Sequence, residues 1–537
     1  MFDDLDAPVW GREPWPSWLT EFRPHQIDAI EQIIEAFGRH DGPCVVWLDA
    51  PTGSGKTLIG EAVRRLLGAR ALYVCSSISL QEQFQRDFPY ARVLKGRSNY
   101  PTALMPFPQY TAADCTKRGV EPCSWCPTVD ECPYEKAKAE ALSSPLAVLN
   151  TTYLLYEANH VGRMRNRPLV IADECDTLES ELMRFVEFRV STRMLQNLGL
   201  EAPKKGVHRK TIVQWINETL IPAAQKASRK LASSSTISDV RAHIALDRLA
   251  ASATTVVGAL DSEHEWVRDN SEPLLMRPTR VTQYGMDTLW RHGTRWLCMS
   301  ATIISPDELV DSLGCELPWE VVRVPMTFPV ENRRIHIAPV ANMVAKEKEE
   351  AYPRMANAIR NVLDRHPGDN CLVHTVSYEL ADYLASHPAI VGTGRAVITY
   401  RNSGERGMAL SRFRSQTGAV LFAPSFDRGV DLRDEECRVV VVAKVPFPNL
   451  GDRQISARLH QPGGQVWYTV QTIRSLVQMT GRGVRNENDW CATYILDRQF
   501  TSNIWKQRSL LPKWWSEALD REFPTYTLLK ENGNVRA

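Results

Sequence analysis

A glycine-rich segment, DAPTGSGKT at residues 49–57, carries the strongest chemical signal in this sequence. It follows a short apolar run at 44–48 and opens a helical pattern over 56–67. Small residues let successive backbone N–H groups point at phosphate oxygens, and the beginning of a helix favours anions. Ala50 replaces the first glycine of the strict pattern. The segment still predicts a nucleotide site in which Lys56 reaches the β- and γ-phosphates and Thr57 binds Mg²⁺, with a loop formed by Gly53, Ser54 and Gly55.

An acidic pair follows a second apolar run, at residues 169–172. Asp173 is expected to hold Mg²⁺, usually through water, and Glu174 to activate the attacking water. An Asp–Glu pair after a strand is by itself often only the start of a loop. Together with the glycine-rich segment it predicts ATP hydrolysis.

Four of the 12 cysteines fall within 18 residues, where chance predicts about 0.4. They are Cys115, Cys123, Cys126 and Cys132. Thiolates grouped in this way hold either tetrahedral zinc or an iron–sulfur cluster, and the spacing does not separate the two. Residue types alone favour zinc. The cluster therefore predicts a metal site and not a disulfide framework.

The composition is that of a multidomain globular protein. The chain has 537 residues, of which 43% are hydrophobic and 24% charged. This excludes wholesale disorder, a collagen-like fibre and a disulfide mini-protein. Lys and Arg exceed Asp and Glu by only 64 to 63, so net charge does not indicate a nucleic-acid partner. The acidic first residues and the lack of a long apolar run predict a soluble, cytoplasmic protein with no membrane partner.

Short apolar runs alternate with amphipathic helical patterns in two blocks. The runs predicted as strands are 44–48, 71–75, 169–172 and 296–299 in the first block, and 371–373, 396–399, 419–422, 439–442 and 493–496 in the second. This alternation predicts an α/β fold with two parallel sheets, each covered on both faces. Two stretches depart from it. Residues 98–134 are rich in Cys and Pro, and residues 179–262 are helical, polar and without strand signals.

These segments, with several others, resemble the superfamily 2 helicases of the iron–sulfur branch that includes XPD and DinG. No single segment is specific, but their order and spacing together are. The additional segments are FRPHQIDAI (22–30), YVCSSISLQEQF (73–84), LKGRSNYP (94–101), LAVLNTTYLL (146–155), MSATI (299–303), CLVHTVSYELADYL (371–384), SFDRGVDL (425–432) and QMTGRGVRN (478–486).

The resemblance implies further site residues. Gln26 is the candidate adenine contact, and Gly429 and Asp431 would help to link the nucleotide cleft to the DNA path. A helical pattern over 468–480 would present Gln478, Arg482 and Arg485 to a nucleotide on the other domain. Such arginines neutralise charge on the transferred phosphoryl group and are worth roughly 10³ to 10⁵ in rate. The alternative is the basic end of a surface helix.

The resemblance also implies a [4Fe–4S] cluster on the four cysteines, with zinc as the alternative. The sequence differs from the family pattern at the first ligand of this cluster. The family commonly has a cysteine soon after GR-x-NY, whereas this chain has Pro101 and Thr102 there. Cys115 must then be the first ligand, from a differently shaped loop. A second departure is DECD in place of DEAH, which puts Cys175 and Asp176 in the last positions and makes the coupling of ATP use to DNA less predictable.

The implied fold is two RecA-like parallel-sheet domains in tandem, the first carrying a Cys-rich insert and a helical arch-like insert. The predicted segments are domain 1 at 1–97, 135–178 and 263–325, the iron–sulfur insert at 98–134, the arch-like insert at 179–262, and domain 2 at 326–537. The implied function is an ATP-dependent helicase that moves 5′→3′ on single-stranded DNA and unwinds tailed duplexes. The alternatives are a translocase that separates no strands, an RNA helicase, and a nucleotide-gated binding module. Protein partners are not predicted.

Overall fold

The computed structural model describes residues 13–102, 110–115, 128–164, 166–233, 236–262, 265–402, 404–424, 432, 434–481, 483–484 and 486–520. Its strands are β1 (Cys44–Asp49), β2 (Ala71–Cys75), β3 (Arg92–Val93), β4 (Leu146–Asn150), β5 (Arg167–Asp173), β6 (Phe188–Val190), β7 (Trp266–Asp269), β8 (Leu274–Pro278), β9 (Gly293–Ser300), β10 (Trp319–Arg323), β11 (Ile335–Ala341), β12 (Cys371–His374), β13 (Val397–Ile398), β14 (Val420–Ala423), β15 (Val439–Val442), β16 (Ala492–Asp497) and β17 (Leu519–Asp520).

The α-helices are α1 (Pro24–Gly38), α2 (Lys56–Leu66), α3 (Ile78–Asp87), α4 (Pro133–Ser143), α5 (Thr151–Tyr156), α6 (Leu178–Val186), α7 (Thr192–Leu198), α8 (Arg209–Trp215), α9 (Ile221–Leu231), α10 (Ile237–Asp261), α11 (Gly285–Thr288), α12 (Pro306–Ser312), α13 (Lys348–Arg365), α14 (Tyr378–Ser386), α15 (Pro388–Val391), α16 (Arg406–Arg414), α17 (Arg453–Leu459), α18 (Gly464–Thr480) and α19 (Lys513–Ser516). None of the helices described is long and apolar enough to cross a membrane.

Two parallel sheets organise the described part of the chain. The first has the strand order β10-β1-β9-β5-β2-β4-β3 and the second β13-β14-β12-β15-β16-β11-β17. The predicted α/β fold class with two parallel-sheet domains is therefore confirmed. Because every pair in the first sheet is parallel, the carboxyl ends of β1, β5 and β9 meet at one edge.

Alternation of apolar side chains explains why helices cover both faces of the first sheet. In β1, Val45 and Trp47 enter one buried cluster, and Val46 and Leu48 enter the cluster on the opposite face. Successive side chains of a strand point to opposite faces, so an uninterrupted apolar run requires cover on both sides.

A third, antiparallel sheet of order β6-β8-β7 stands apart from both. Helices α8, α9 and α10 pack with it around a separate core that includes Ile216, Leu220 and Ala253. The description of residues 179–262 as free of strands was wrong, because β6 lies within that stretch and pairs with β8 beyond it. The predicted domain bounds stay predictions.

Candidate nucleotide site between the two parallel sheets

The glycine-rich loop joins β1 to α2 and is shaped by two left-handed residues. Gly53 and Gly55 have φ values of 83° and 82°, a region that other residues enter only with strain. The predicted helix at 56–67 is found at Lys56–Leu66, with Gly55 as its N-cap. Lys56 Nζ lies 3.4 Å from the carbonyl oxygen of Ala50. Lys56, the predicted phosphate ligand, therefore lies against the loop that begins at Ala50.

Gln26, the predicted adenine contact, supports this loop from α1. Its buried amide donates to the Ser54 carbonyl oxygen over 3.0 Å and accepts from the Arg23 backbone N–H over 2.9 Å. A Cβ placed on Gly55 would stand 2.3 Å from Gln26 Nε2. The side chain thus packs directly against the loop backbone, and its contact with adenine stays a prediction.

The acidic pair lies at the carboxyl end of β5, on the same sheet edge as the loop. The Tyr73 hydroxyl, on β2, donates to Asp173 Oδ2 over 2.8 Å and also hydrogen-bonds Thr57. Burial raises the pKa of Asp173, and the nearby charge of Lys56 opposes the shift. Sequence reasoning missed Tyr73. Tyr73 is the third residue of the predicted strand 71–75, and nothing in that strand pattern indicates that it touches both candidate magnesium ligands.

Glu174 has a backbone conformation that is unusual for its residue type. Its φ is 51°, in the left-handed region, which costs roughly 1–2 kcal/mol for a residue with a Cβ. Its carbonyl oxygen accepts from Thr177 Oγ1 over 2.8 Å, and its N–H donates to Asp173 Oδ1 over 3.0 Å. These two bonds hold the turn that follows β5.

Asp49 is a second, largely buried carboxylate at this edge, directly before the loop. Burial raises its pKa to about 7, although Arg323 and Lys56 both act in the opposite direction. The Arg323 guanidinium is 3.9 Å away. Asp49 is therefore a titratable group beside the lysine of the nucleotide loop, and the sequence interpretation did not single it out.

Asp176, the last residue of DECD, joins three segments of the site. Its Oδ1 accepts from Ser300 Oγ over 2.8 Å, and its Oδ2 accepts from Thr302 Oγ1 over 3.1 Å. Oδ2 also accepts from Gln478 Nε2, in α18 of the second domain, over 3.0 Å. Gln478 Nε2 in turn lies 3.1 Å from Thr302 Oγ1. The departure from DEAH therefore keeps a direct connection between the acidic pair, the MSATI segment and the second domain.

The end of α18 reaches the glycine-rich loop itself. A Cβ built on Gly481, which follows α18, would be 4.0 Å from Thr52 Oγ1 in the loop. Arg482 and Arg485 come next in the sequence but lie outside the described residues, as do Gly429 and Asp431. Of the residues predicted to serve the nucleotide from the second domain, the structure thus places Gln478 alone.

Two of the four predicted cysteine ligands are described, Cys115 and Cys132, whereas Cys123 and Cys126 lie outside the described residues. Both described thiols are buried, with 4% and 5% of their surface exposed. Cys115 Sγ lies 2.7 Å from Thr102 Oγ1. The chain therefore returns to the position where the resembling helicases commonly have their first cysteine.

Comparison with known proteins agrees with this geometry. A family model described as "Helicase C-terminal domain" matches residues 359–518, and one described as "Type III restriction enzyme, res subunit" matches residues 19–176. A solved XPD helicase structure superposes over 93% of this chain and 99% of its own, with a TM-score of 0.63 and 15% identity. The chain is therefore similar to a helicase C-terminal domain over residues 359–518, and its fold resembles that of the XPD helicase structure. The tandem RecA-like arrangement predicted from the motifs is thus confirmed.

Curated relatives match this chain over parts of its length. The Fanconi anemia group J protein homolog of Gallus gallus is 35% identical over 111 residues, which are 18% of this chain and 9% of that protein. The ATP-dependent DNA helicase YoaA of Escherichia coli K12 is 24% identical over 239 residues, covering 42% of this chain and 36% of YoaA. The matched segments therefore span well under half the length of either relative.

Proposed function

We propose that this chain is an ATP-dependent DNA helicase that moves 5′→3′ on single-stranded DNA and unwinds tailed duplexes. The observation that carries the proposal is the direct bond between Asp176 and Gln478. It joins the acidic pair of the ATP site to a helix of the second domain. A hydrolysis site whose parts lie on two domains converts ATP binding and release into relative domain movement.

The proposed hydrolysis uses residues from both domains. Lys56 and the loop N–H groups would bind the phosphates, and Thr57 and Asp173 would hold Mg²⁺. Glu174 would take the proton of the attacking water. Gln478 would connect this site to the second domain through its hydrogen bond to Asp176. Arg482 and Arg485, in the QMTGRGVRN segment, would neutralise the negative charge that develops on the transferred phosphoryl group.

DNA as the substrate is supported by the relatives. YoaA is named as a DNA helicase, and both parallel-sheet domains of this chain have the XPD fold. Gly429 and Asp431 are proposed to link the nucleotide cleft to the strand.

The four cysteines are proposed to hold a [4Fe–4S] cluster. The donor set fits, because the side chains of Cys115 and Cys132 are both buried and iron–sulfur clusters take cysteine thiolates as ligands. A bound cluster would supply a rigid, covalently anchored support for the insert. Thr102 would donate its hydroxyl to the Cys115 sulfur, in agreement with their contact of 2.7 Å.

Strand displacement tests the helicase proposal. Anaerobically purified protein is given ATP, Mg²⁺ and matched duplexes with either a 5′ or a 3′ single-stranded DNA tail, with Lys56→Ala as the inactive control. Displacement from the 5′ tail alone is the expected result. ATP turnover without displacement would indicate a translocase, and displacement with RNA tails alone would indicate an RNA helicase.

Metal analysis tests the cysteine assignment separately. We expect about four iron and four sulfide per chain, and loss of iron in Cys132→Ala. The matched control is Cys315→Ala, because Cys315 is also buried but lies far along the chain from the cluster. Stoichiometric zinc without iron would identify the alternative metal, and retention of iron in Cys132→Ala would exclude this cysteine as a ligand.

A further inference from the structure

A second contact joins the two domains outside the segments that carry the family resemblance. Glu179, in α6 of the first domain, accepts a hydrogen bond from Arg458 in α17 of the second. Arg458 Nη2 also donates to Ser312 Oγ over 2.5 Å. The guanidinium lies 4.2 Å from the ring centroid of Trp467, which favours a cation–π contact. Arg458 is thus held by three different groups.

The same face of α18 contacts both Glu179 and Asp176. Trp467 Nε1 and Gln471 Nε2 donate to Glu179 Oε2 over 3.2 and 3.1 Å. Two turns further along, Gln478 donates to Asp176. Residues separated by three or four positions share one face of a helix. The Glu179 contact therefore fixes one end of the helix whose other end reaches the ATP site.

The interface is buried and strongly charged. The first domain contributes the carboxylates of Asp176, Glu179 and Glu308, and the second contributes the guanidinium groups of Arg458 and Arg474. All five side chains are at most 9% exposed. Removing one partner of such a pair leaves an uncompensated buried charge and weakens the contact strongly. The pairing is thus a strong constraint on how the domains meet.

Other charges in this interface are close but not in contact. Arg474 Nε is 3.9 Å from Asp176 Oδ2, and Arg474 Nη2 is 3.9 Å from Glu308 Oε2. Arg458 Nη2 is 3.8 Å from Glu308 Oε1. These separations exceed hydrogen-bond length. All three pairs join one domain to the other, so their lengths depend on how the domains meet.

We propose that Glu179 and Arg458 are positioning residues for nucleic-acid-stimulated ATP hydrolysis, and this rests on the proposed function. Neither has a hydrogen bond or ion pair with a described residue of the glycine-rich loop or with Asp173 or Glu174. They hold α18 so that Gln478 meets Asp176 when the domains approach each other. Each domain has its own apolar core, so the loss of this contact should disturb docking and not the fold of either domain.

The test compares Glu179→Gln and Arg458→Lys with the wild type in steady-state ATP hydrolysis, with and without poly(dT). Glu179→Gln keeps the shape and loses the charge, and we expect kcat with poly(dT) to fall about 10- to 100-fold. The KM for ATP should change less than about threefold, because the nucleotide loop is untouched. Arg458→Lys should restore part of the rate relative to Arg458→Met. The matched control is Glu379→Gln, which removes an exposed pair with Lys348 and should leave kcat unchanged.

The outcomes separate this inference from the proposed function. A wild-type protein without poly(dT)-stimulated hydrolysis would refute the function. Stimulated wild type with an equally active Glu179→Gln would overturn the inference alone. Loss of fluorescent ADP binding, or unfolding of Glu179→Gln at the assay temperature, would also overturn it by showing a structural role. In the double variant Glu179→Gln/Arg458→Met, a rate no lower than that of the worse single variant would confirm that the two act as one unit.

Discussion

Replacing Asp176 by asparagine should separate ATP binding from ATP hydrolysis. Asp176 accepts hydrogen bonds from Ser300, Thr302 and Gln478, and Arg474 Nε lies 3.9 Å from its Oδ2. Asparagine keeps the size, but only one of its two terminal atoms can accept. A hydrogen bond to a charged group contributes about 1.5–3 kcal/mol and a neutral one about 0.5–1.5 kcal/mol.

These differences set the expected magnitude. About 1 kcal/mol is lost for each of the bonds to Ser300, Thr302 and Gln478, so the loss of preorganisation is about 3 kcal/mol in total. A loss of about 3 kcal/mol of transition-state stabilisation should lower kcat about 100-fold, since each 1.36 kcal/mol corresponds to a factor of ten. The affinity for ATP should change little, because the glycine-rich loop is unaltered. Phosphate release with saturating single-stranded DNA measures kcat, and fluorescent ADP titration measures binding.

Two further variants test the reasoning. Asp176→His places the residue of the resembling helicases here, yet a neutral imidazole has one acceptor atom and a protonated one has none. We therefore expect it to be no better than Asp176→Asn. Asp364→Asn removes a surface pair with Arg360 and should keep the wild-type rate. Wild-type kcat in Asp176→Asn, or full activity in Asp176→His, would refute the role of the carboxylate.

Three other predictions concern the first domain. Tyr73→Phe removes the buried hydroxyl that donates to Asp173, so the Mg²⁺ concentration for half-maximal hydrolysis should rise about tenfold; an unchanged requirement would contradict this role. Gly55→Ala should abolish nucleotide binding, because the φ of Gly55 is 82° and the added Cβ would collide with Gln26. Its control is Gly68→Ala, where φ is 56° and no atom lies within 4 Å of the added Cβ. This variant should only lower the melting temperature. The pKa of Asp49 is about 7 in the folded protein, above its ordinary value of 3.8. The bound proton therefore makes its full contribution to the free energy of unfolding below about pH 4, and this contribution is lost as the pH rises through about 7. Asp49→Asn should therefore flatten this dependence and raise the melting temperature at pH 8 in nucleotide-free protein, and an equally steep decline in the variant would show that another group titrates.

Local patterns in the sequence were sufficient for the nucleotide loop and the strands beside it. The run at 71–75 is observed as β2 and the run at 439–442 as β15. These elements are predictable because a buried parallel strand is a short apolar run whatever its neighbours are. Gly-rich loops and acidic strand ends are similarly recognisable, because phosphate and Mg²⁺ each require particular atoms at a fixed spacing.

Short strands that pair with distant segments were harder to predict from the sequence. β6 has only three residues and pairs with β8, which lies more than 80 positions along the chain. Three residues give no reliable alternation, so the hydrophobic pattern of 179–262 predicted only helices. The contact between Cys115 and Thr102 was also not predictable from the local sequence, because it depends on the backbone bridge between Pro101 and Thr111.

Residue types and spacing by themselves predicted a nucleotide site, the alternation of strands with helices, and the helicases that this chain resembles. The tertiary structure decided what the last residue of DECD contacts, because Asp176 and Gln478 are 302 positions apart and no local pattern records their contact. It also decided that Glu179 pairs with Arg458, 279 positions away. Both contacts depend on how two separately packed sheets meet, and such long-range geometry is set by the whole fold and not by any one segment.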